Sequence, residues 1–180
     1  MTRYVALLRG INVGGNKKVP MAQLRALIEA LGYTEVVTLL QSGNAVFTSK
    51  AKQKPAQLER QLEEALAKAL GFEVGVVVRT RDELARVIEA NPLPGANEAP
   101  SRFLVTFLSG VPDAKRLAAL DPQAYLPDEF RHVDREIYAR FPDGIGTSRL
   151  AALLSGLRLG VTATARNWNT VTQLLELADH

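Results

Sequence analysis

The order in which apolar periodicity changes along the chain limits its possible folds more than any other feature. Tyr4 to Leu8 is a continuous apolar run suited to a buried strand. A helical stripe follows, opened by Pro20, carried by Leu24, Leu27, Ile28 and Leu31, and ended by Gly32. Val36 to Leu40 and Ala45 to Thr48 are β-rich runs joined by Gln41, Ser42, Gly43 and Asn44, a turn-forming sequence that predicts a hairpin. Pro55 opens a second helix with Leu58, Leu62, Leu66 and Leu70 on one side. Gly71 ends it, and Phe72 to Val78 reads as a fourth strand. Thr80 and Glu83 then have the capping-box spacing of a third helix running through Ile88. The order βαββαβ is that of the split βαβ, or ferredoxin-like, unit, in which two helices cover one face of a four-stranded antiparallel sheet.

The pattern then recurs. Arg3, Tyr4, Val5 and Ala6 match Arg102, Phe103, Leu104 and Val105. Further on, without a gap, Leu66, Leu70, Phe72, Val74, Arg79, Leu84, Val87 and Ile88 match Leu153, Leu157, Leu159, Val161, Arg166, Val171, Leu174 and Leu175. Between these anchors lie a short helix from Asp113 to Leu120, strands Phe130 to Val133 and Ile137 to Phe141, and a helix from Ser148. The expected fold is therefore α+β, a tandem duplication of a ferredoxin-like unit with antiparallel sheets and an extra helix after each copy. The halves are expected at 1–92 and 101–180, joined by a linker at 93–100 that is rich in Pro, Gly and Asn.

One element is not repeated. The first copy carries about ten residues between its first strand and first helix, Arg9 to Lys18, where the second has little more than Ser109 to Pro112. The extra loop brings Gly10, Gly14, Gly15, Asn12, Asn16, Lys17 and Lys18 to the start of a helix, and loops carry function more often than cores do.

Charge placement singles out the same region. The net charge is only +3, from 22 cations and 19 acids, yet Met1 to Ile28 and Gly144 to Leu175 contain no Asp or Glu. Such stretches suit an anion. At 180 residues and 47% hydrophobic content the chain can bury a sizeable core, and no apolar run approaches the roughly 20 residues needed to cross a bilayer. Met1 to Gly10 reads as a strand, without the long apolar region of a secretion signal. The absence of cysteine excludes disulfides and thiolate chemistry and agrees with a reducing compartment, so a cytoplasmic location is expected.

Each motif carries two readings. Gly10, Gly14 and Gly15 allow positive φ, so their N–H groups, with Lys17 and Lys18, suit a phosphate or carboxylate. The spacing is not a P-loop, because Asn16 precedes Lys17 and no hydroxyl residue follows, nor does it match G-x-G-x-x-G. The plain reading is loop conformation. Gln41, Ser42 and Asn44 either bond their own turn or present polar groups to a ligand beside the glycine loop. Arg166, Asn167, Trp168 and Asn169 form the least ordinary segment. Asn169 is positioned as a helix N-cap, while Trp168 is either an interior plug or a stacking platform for a base, with Arg166 and the asparagines reading its edge. His132 has no second histidine with which to form a metal site, and Asp134 and Asp143 flank a hairpin as turn residues. No catalytic residue, metal site or cofactor emerges.

Tyr4 to Gly15, Gln41 to Asn44 and Thr164 to Val171 together resemble the signature segments of the bacterial domain-of-unknown-function family number 1697, over nearly the whole chain. The resemblance implies an α+β fold with two ferredoxin-like halves and carries no assigned activity. The function expected from the residues is binding of a small phosphate- or carboxylate-bearing ligand. Its site would gather Arg9, Asn12, Gly14, Gly15, Lys17, Lys18, Gln41, Ser42, Asn44, Arg166, Asn167, Trp168 and Asn169. The alternatives are a single-stranded nucleic-acid or RNA-binding module and a structural or regulatory homo-oligomer; no membrane partner is expected.

Overall fold

A computed structural model describes all 180 residues. The chain forms two four-stranded antiparallel sheets and six α-helices, an α+β fold. It divides into two compact units, one of residues 1–86 with 173–180, the other of residues 87–172. No helix is long and apolar enough to cross a membrane.

In the first unit β1 (Thr2–Leu8) lies at the centre of the sheet, flanked antiparallel by β3 (Asn44–Ser49) and β4 (Val76–Thr80), with β2 (Thr34–Leu39) outside β3. Alternation along β1 sends Tyr4, Ala6 and Leu8 into one core with Leu24 and Ile28 of α1 (Met21–Ala30) and Leu58, Leu62 and Leu66 of α2 (Pro55–Leu70). Each of these leucines contributes on the order of 2 kcal/mol by leaving water. The buried Tyr4 hydroxyl is satisfied by Gln53, donating to its carbonyl at 2.7 Å and accepting from its N–H at 2.8 Å. Val5 and Leu7, on the opposite face, are also buried. Gly71 ends α2 in the left-handed conformation, its N–H on the Ala67 carbonyl.

The outer edge of β4 would expose backbone donors, and α2 covers them. Glu63 accepts from the Val76 N–H and Glu59 from the Val78 N–H, both at 2.9 Å. Thr80 and Glu83 form the expected capping box at the start of α3 (Arg81–Glu89).

In the second unit β5 (Phe103–Leu108) is central, flanked by β7 (Glu136–Arg140) and β8 (Ala163–Asn167), with β6 (Glu129–Val133) outside β7. Its core joins Leu108, Phe130, Ile137, Ala139 and Phe141 to Leu150 and Leu154 of α5 (Arg149–Gly156). A short α4 (Ala114–Ala118) follows β5, and α6 (Trp168–Asp179) closes the chain.

Three expectations differ in detail. The fourth strand begins at Val76, not Phe72, leaving Phe72 and Val74 to fill the helix-side core from an irregular segment. Residues 93–100 fall within the second unit, where Leu93 and Ala96 are buried, while residues 173–180 group with the first. The match of Val5 with Leu104 is off by one: Val5 lies opposite Arg79 and Val105 opposite Arg166. In a strand, a slip of one residue exchanges the two faces.

Candidate functional site

The glycine loop is a small hairpin rather than an open cradle. Arg9 extends the line of β1, its N–H donating to the Gly75 carbonyl at 2.8 Å, and Ile11 then turns into the core. The Asn16 N–H closes a turn on the Val13 carbonyl at 3.0 Å, with φ of 59° at Gly14 and 78° at Gly15, as a type I′ turn demands of both central residues. The Asn12 N–H reaches the Lys17 carbonyl at 3.1 Å. The N–H groups of Gly14 and Gly15 are exposed and have no acceptor within the chain.

Asn12 fixes this hairpin to its surroundings. Its Nδ2 donates to the carbonyls of Val19 (2.9 Å) and Gln41 (2.7 Å), and its Oδ1 accepts from the Val19 N–H (2.8 Å). The side chain is spent on backbone and leaves nothing for a ligand to read. Lys17 likewise donates to the Glu73 carbonyl at 2.9 Å, while Lys18 is exposed and unpaired.

The Gln41 to Asn44 turn packs directly on the loop. Asn44, fully buried, donates to the Leu39 carbonyl at 2.7 Å and to Ser42 Oγ at 3.1 Å. The Leu8 N–H donates to the Gly43 carbonyl at 2.9 Å. Gly43 is required twice over: its φ is 90°, and a Cβ there would stand 2.5 Å from Ile11 Cδ1 and 2.9 Å from Leu8 Cβ. Gln41 and Ser42 stay exposed.

Between loop, turn and α1 opens a cleft of about 660 Å³, lined by Asn12, Gly15, Lys18, Pro20, Met21, Ala22 and Gln41. None of these is acidic. Helix α1 starts here with Pro20 at its N-cap, so no side chain caps it, and its first turn holds no acid. Gln23 and Leu24 donate to the Pro20 carbonyl, but the N–H groups of Met21 and Ala22 have no acceptor in the chain. Sequence reasoning did not pick out Pro20, Met21 or Ala22; the signal available was a helix opened by proline with no Ser, Thr, Asp or Asn to cap it.

The third segment belongs to the second unit, and its side chains are engaged there. Arg166, on β8, is buried; burial pulls its guanidinium down to about 10, and Nη1 donates to Thr164 Oγ1 (2.7 Å) and the Ala165 carbonyl (2.8 Å). Trp168 is only 4% exposed, its Nε1 on Asn97 Oδ1 at 3.2 Å, so its ring offers no free face for stacking. The cap of α6 is Asn167, not Asn169: Asn167 Oδ1 accepts from the Thr170 N–H at 2.9 Å. Strand runs into helix with no intervening loop, which moves the cap two residues earlier; Asn169 is exposed on the first turn.

A family sequence model described as "Protein of unknown function (DUF1697)" matches residues 1–138. The chain belongs to the DUF1697 family. The match takes in the glycine loop and the Gln41 to Asn44 turn and stops short of Arg166 to Asn169. No curated protein matches the chain. A solved structure of a conserved bacterial protein from Streptococcus pneumoniae is similar over 98% of each chain, at 24% identity and a TM-score of 0.79, a likeness that shows the fold alone.

Within this DUF1697 chain the cleft can offer a ligand backbone donors, one unpaired ammonium and the positive end of a helix. It has no paired nucleophile and base among its lining residues. Elsewhere His132 is bonded to the Asp134 carbonyl within its own hairpin, and no group of three or more His, Cys, Asp or Glu side chains is gathered.

Proposed function

We propose that the first unit binds a small phosphate- or carboxylate-bearing ligand in the cleft between the glycine loop and α1. One observation carries this reading: the acceptor-free N–H groups of Gly15, Met21 and Ala22 and the unpaired Lys18 share a cleft with no carboxylate on its walls. In water these donors are solvated at no penalty. An anion gains from all of them together, because the turn and helix already hold them in place.

Titrating 15N-labelled protein with inorganic phosphate tests it. Amide shifts confined to Gly14, Gly15, Lys18, Met21 and Ala22, needing several-fold more phosphate in Lys18→Ala, are the expected result. Shifts spread over the surface, or none in the millimolar range, would end the proposal.

Two observations weigh against the nucleic-acid alternative. The aromatic side chains on the strands, Tyr4, Phe47, Phe103, Phe107, Phe130 and Tyr138, are all buried, as is Trp168, so neither sheet offers the exposed rings on which bases stack. We also infer that the two units are ferredoxin-like duplicates. Supporting this, the strand orders β2-β3-β1-β4 and β6-β7-β5-β8 correspond, and a buried arginine, Arg79 or Arg166, occupies the same place beside the central strand in each. The lack of cysteine is in keeping with a cytoplasmic setting.

A further inference from the structure

We propose that a second cleft in the first unit, at the opposite end of β1, binds a compact polyphosphate through Lys52, Lys54, Arg81 and Arg86. The cleft measures about 890 Å³, and its charged border is Arg3 on β1, Lys52 and Lys54 before α2, Arg81, Asp82, Glu83 and Arg86 on α3, and Asp179 at the end of α6. It is separate from the glycine-loop cleft. The two flank the first and last residues of a seven-residue strand, about 20 Å apart at roughly 3.3 Å per residue.

The charges here are not balanced internally. Lys52, Lys54 and Arg86 are exposed and pair with no carboxylate of the chain. Arg81 is held by Asp179 through Nε at 2.6 Å and by Asp82 through Nη1 at 3.1 Å, which leaves Nη2 without a partner. Arg3 adds a fixed guanidinium. Its Nη atoms are bound by the carbonyls of Glu35 and Leu177 and by Thr48 Oγ1, while its Nε is the one buried side-chain polar atom of the molecule with no hydrogen-bond partner.

The ligand class follows from this arrangement. Unpaired cations arriving from two separate segments around a cofactor-sized cleft suit a ligand with more than one anionic group, and the guanidinium fork favours phosphate oxygens. A nucleic-acid strand suits it less, because Asp82, Glu83 and Asp179 on the walls would repel an extended run of phosphates. The Arg81 to Asp179 pair is the adjustable part. Both side chains are about two-fifths exposed, 40% and 42%, and ion pairs so exposed hold weakly. An incoming phosphate can take the place of the Asp179 carboxylate on Arg81 without breaking anything buried.

Calorimetric titration of the full chain with inorganic pyrophosphate at low salt tests the assignment. Saturable binding is expected, weakened at least about tenfold in the Lys52→Gln/Lys54→Gln variant, whose changes are on exposed side chains, and tightened about threefold in Asp179→Asn, where a competing charge is gone. Lys18→Gln, in the other cleft, should leave the affinity unchanged. Absence of saturation, or an affinity indifferent to the double variant, would overturn the proposal. Loss of binding in Lys18→Gln would move the pyrophosphate to the glycine loop, and tighter binding of an oligothymidylate than of pyrophosphate would replace the small ligand with nucleic acid.

Discussion

The two units arrange four strands in corresponding order, yet they differ in what joins the first strand to the first helix. In the first unit twelve residues separate Leu8 from Met21, and they contain a closed hairpin, a pinning asparagine and an uncapped helix start. In the second, five residues separate Leu108 from Ala114, and the following helix is capped conventionally by Asp113, whose side chain accepts from the Arg116 N–H. The scaffold evidently closes without the long loop. What the first unit adds is a longer connection that sends Ile11 and Val19 into its core and, beside them, leaves a set of backbone donors without acceptors.

That contrast can be broken most forcefully at Gly43. Gly43→Ala meets both a φ of 90° and side chains of Ile11 and Leu8 within 3 Å, so a loss of about 2–4 kcal/mol is expected in urea melts. Gly144→Ala in the second unit, with φ 95° but open space around it, should lose only about 1–2 kcal/mol; equal losses would mean that the close approach of turn and loop is not what Gly43 serves. Next in size is Asn12→Ala, which strips partners from both backbone groups of buried Val19 and should cost about 1–3 kcal/mol while loosening the hairpin in hydrogen exchange. Lys18→Ala sharpens the comparison from the other side. It should move stability by less than about 0.5 kcal/mol while weakening phosphate binding several-fold, since this side chain is exposed and makes no hydrogen bond or ion pair within the chain.

A further effect, read through pH, concerns Arg166 and its titration. Burial lowers its guanidinium to about 10, below the ordinary arginine range. A cation depressed in this way costs stability in full below its folded value. The cost shrinks as pH climbs past about 10, because the unfolded chain then retains more of the proton. The stability gap between wild type and Arg166→Met, measured at about pH 8 and about pH 11, should accordingly shift toward wild type at the higher pH. A gap that stays constant would show that Arg166 is better solvated than its burial implies.

Element order was legible because each segment states its period locally: Leu58, Leu62 and Leu66 mark one helix face without reference to any distant residue. Caps and long-range clamps were not. Asn167 and Asn169 are equally good caps in isolation, and only the direct passage of β8 into α6 selects the first. The loop and turn were expected to meet, and they do through Asn12 and Gln41, 29 positions apart. That a single asparagine would be fully consumed in holding them together depends on the path of Val19, which no spacing encodes. The second cleft escaped notice for the same reason: Arg81 and Asp179 are 98 positions apart and sit in segments that look unremarkable alone.

Because residues 173–180 group with 1–86, the first unit is assembled from two stretches of chain with the whole of 87–172 between them in sequence. A chain emerging from a ribosome would hold residues 1–86 waiting, with Arg3 lacking the Leu177 carbonyl and Arg81 lacking Asp179, until residues 87–172 had also been made. Completion of the part synthesised first is thus tied to the arrival of residues that follow an entire second unit.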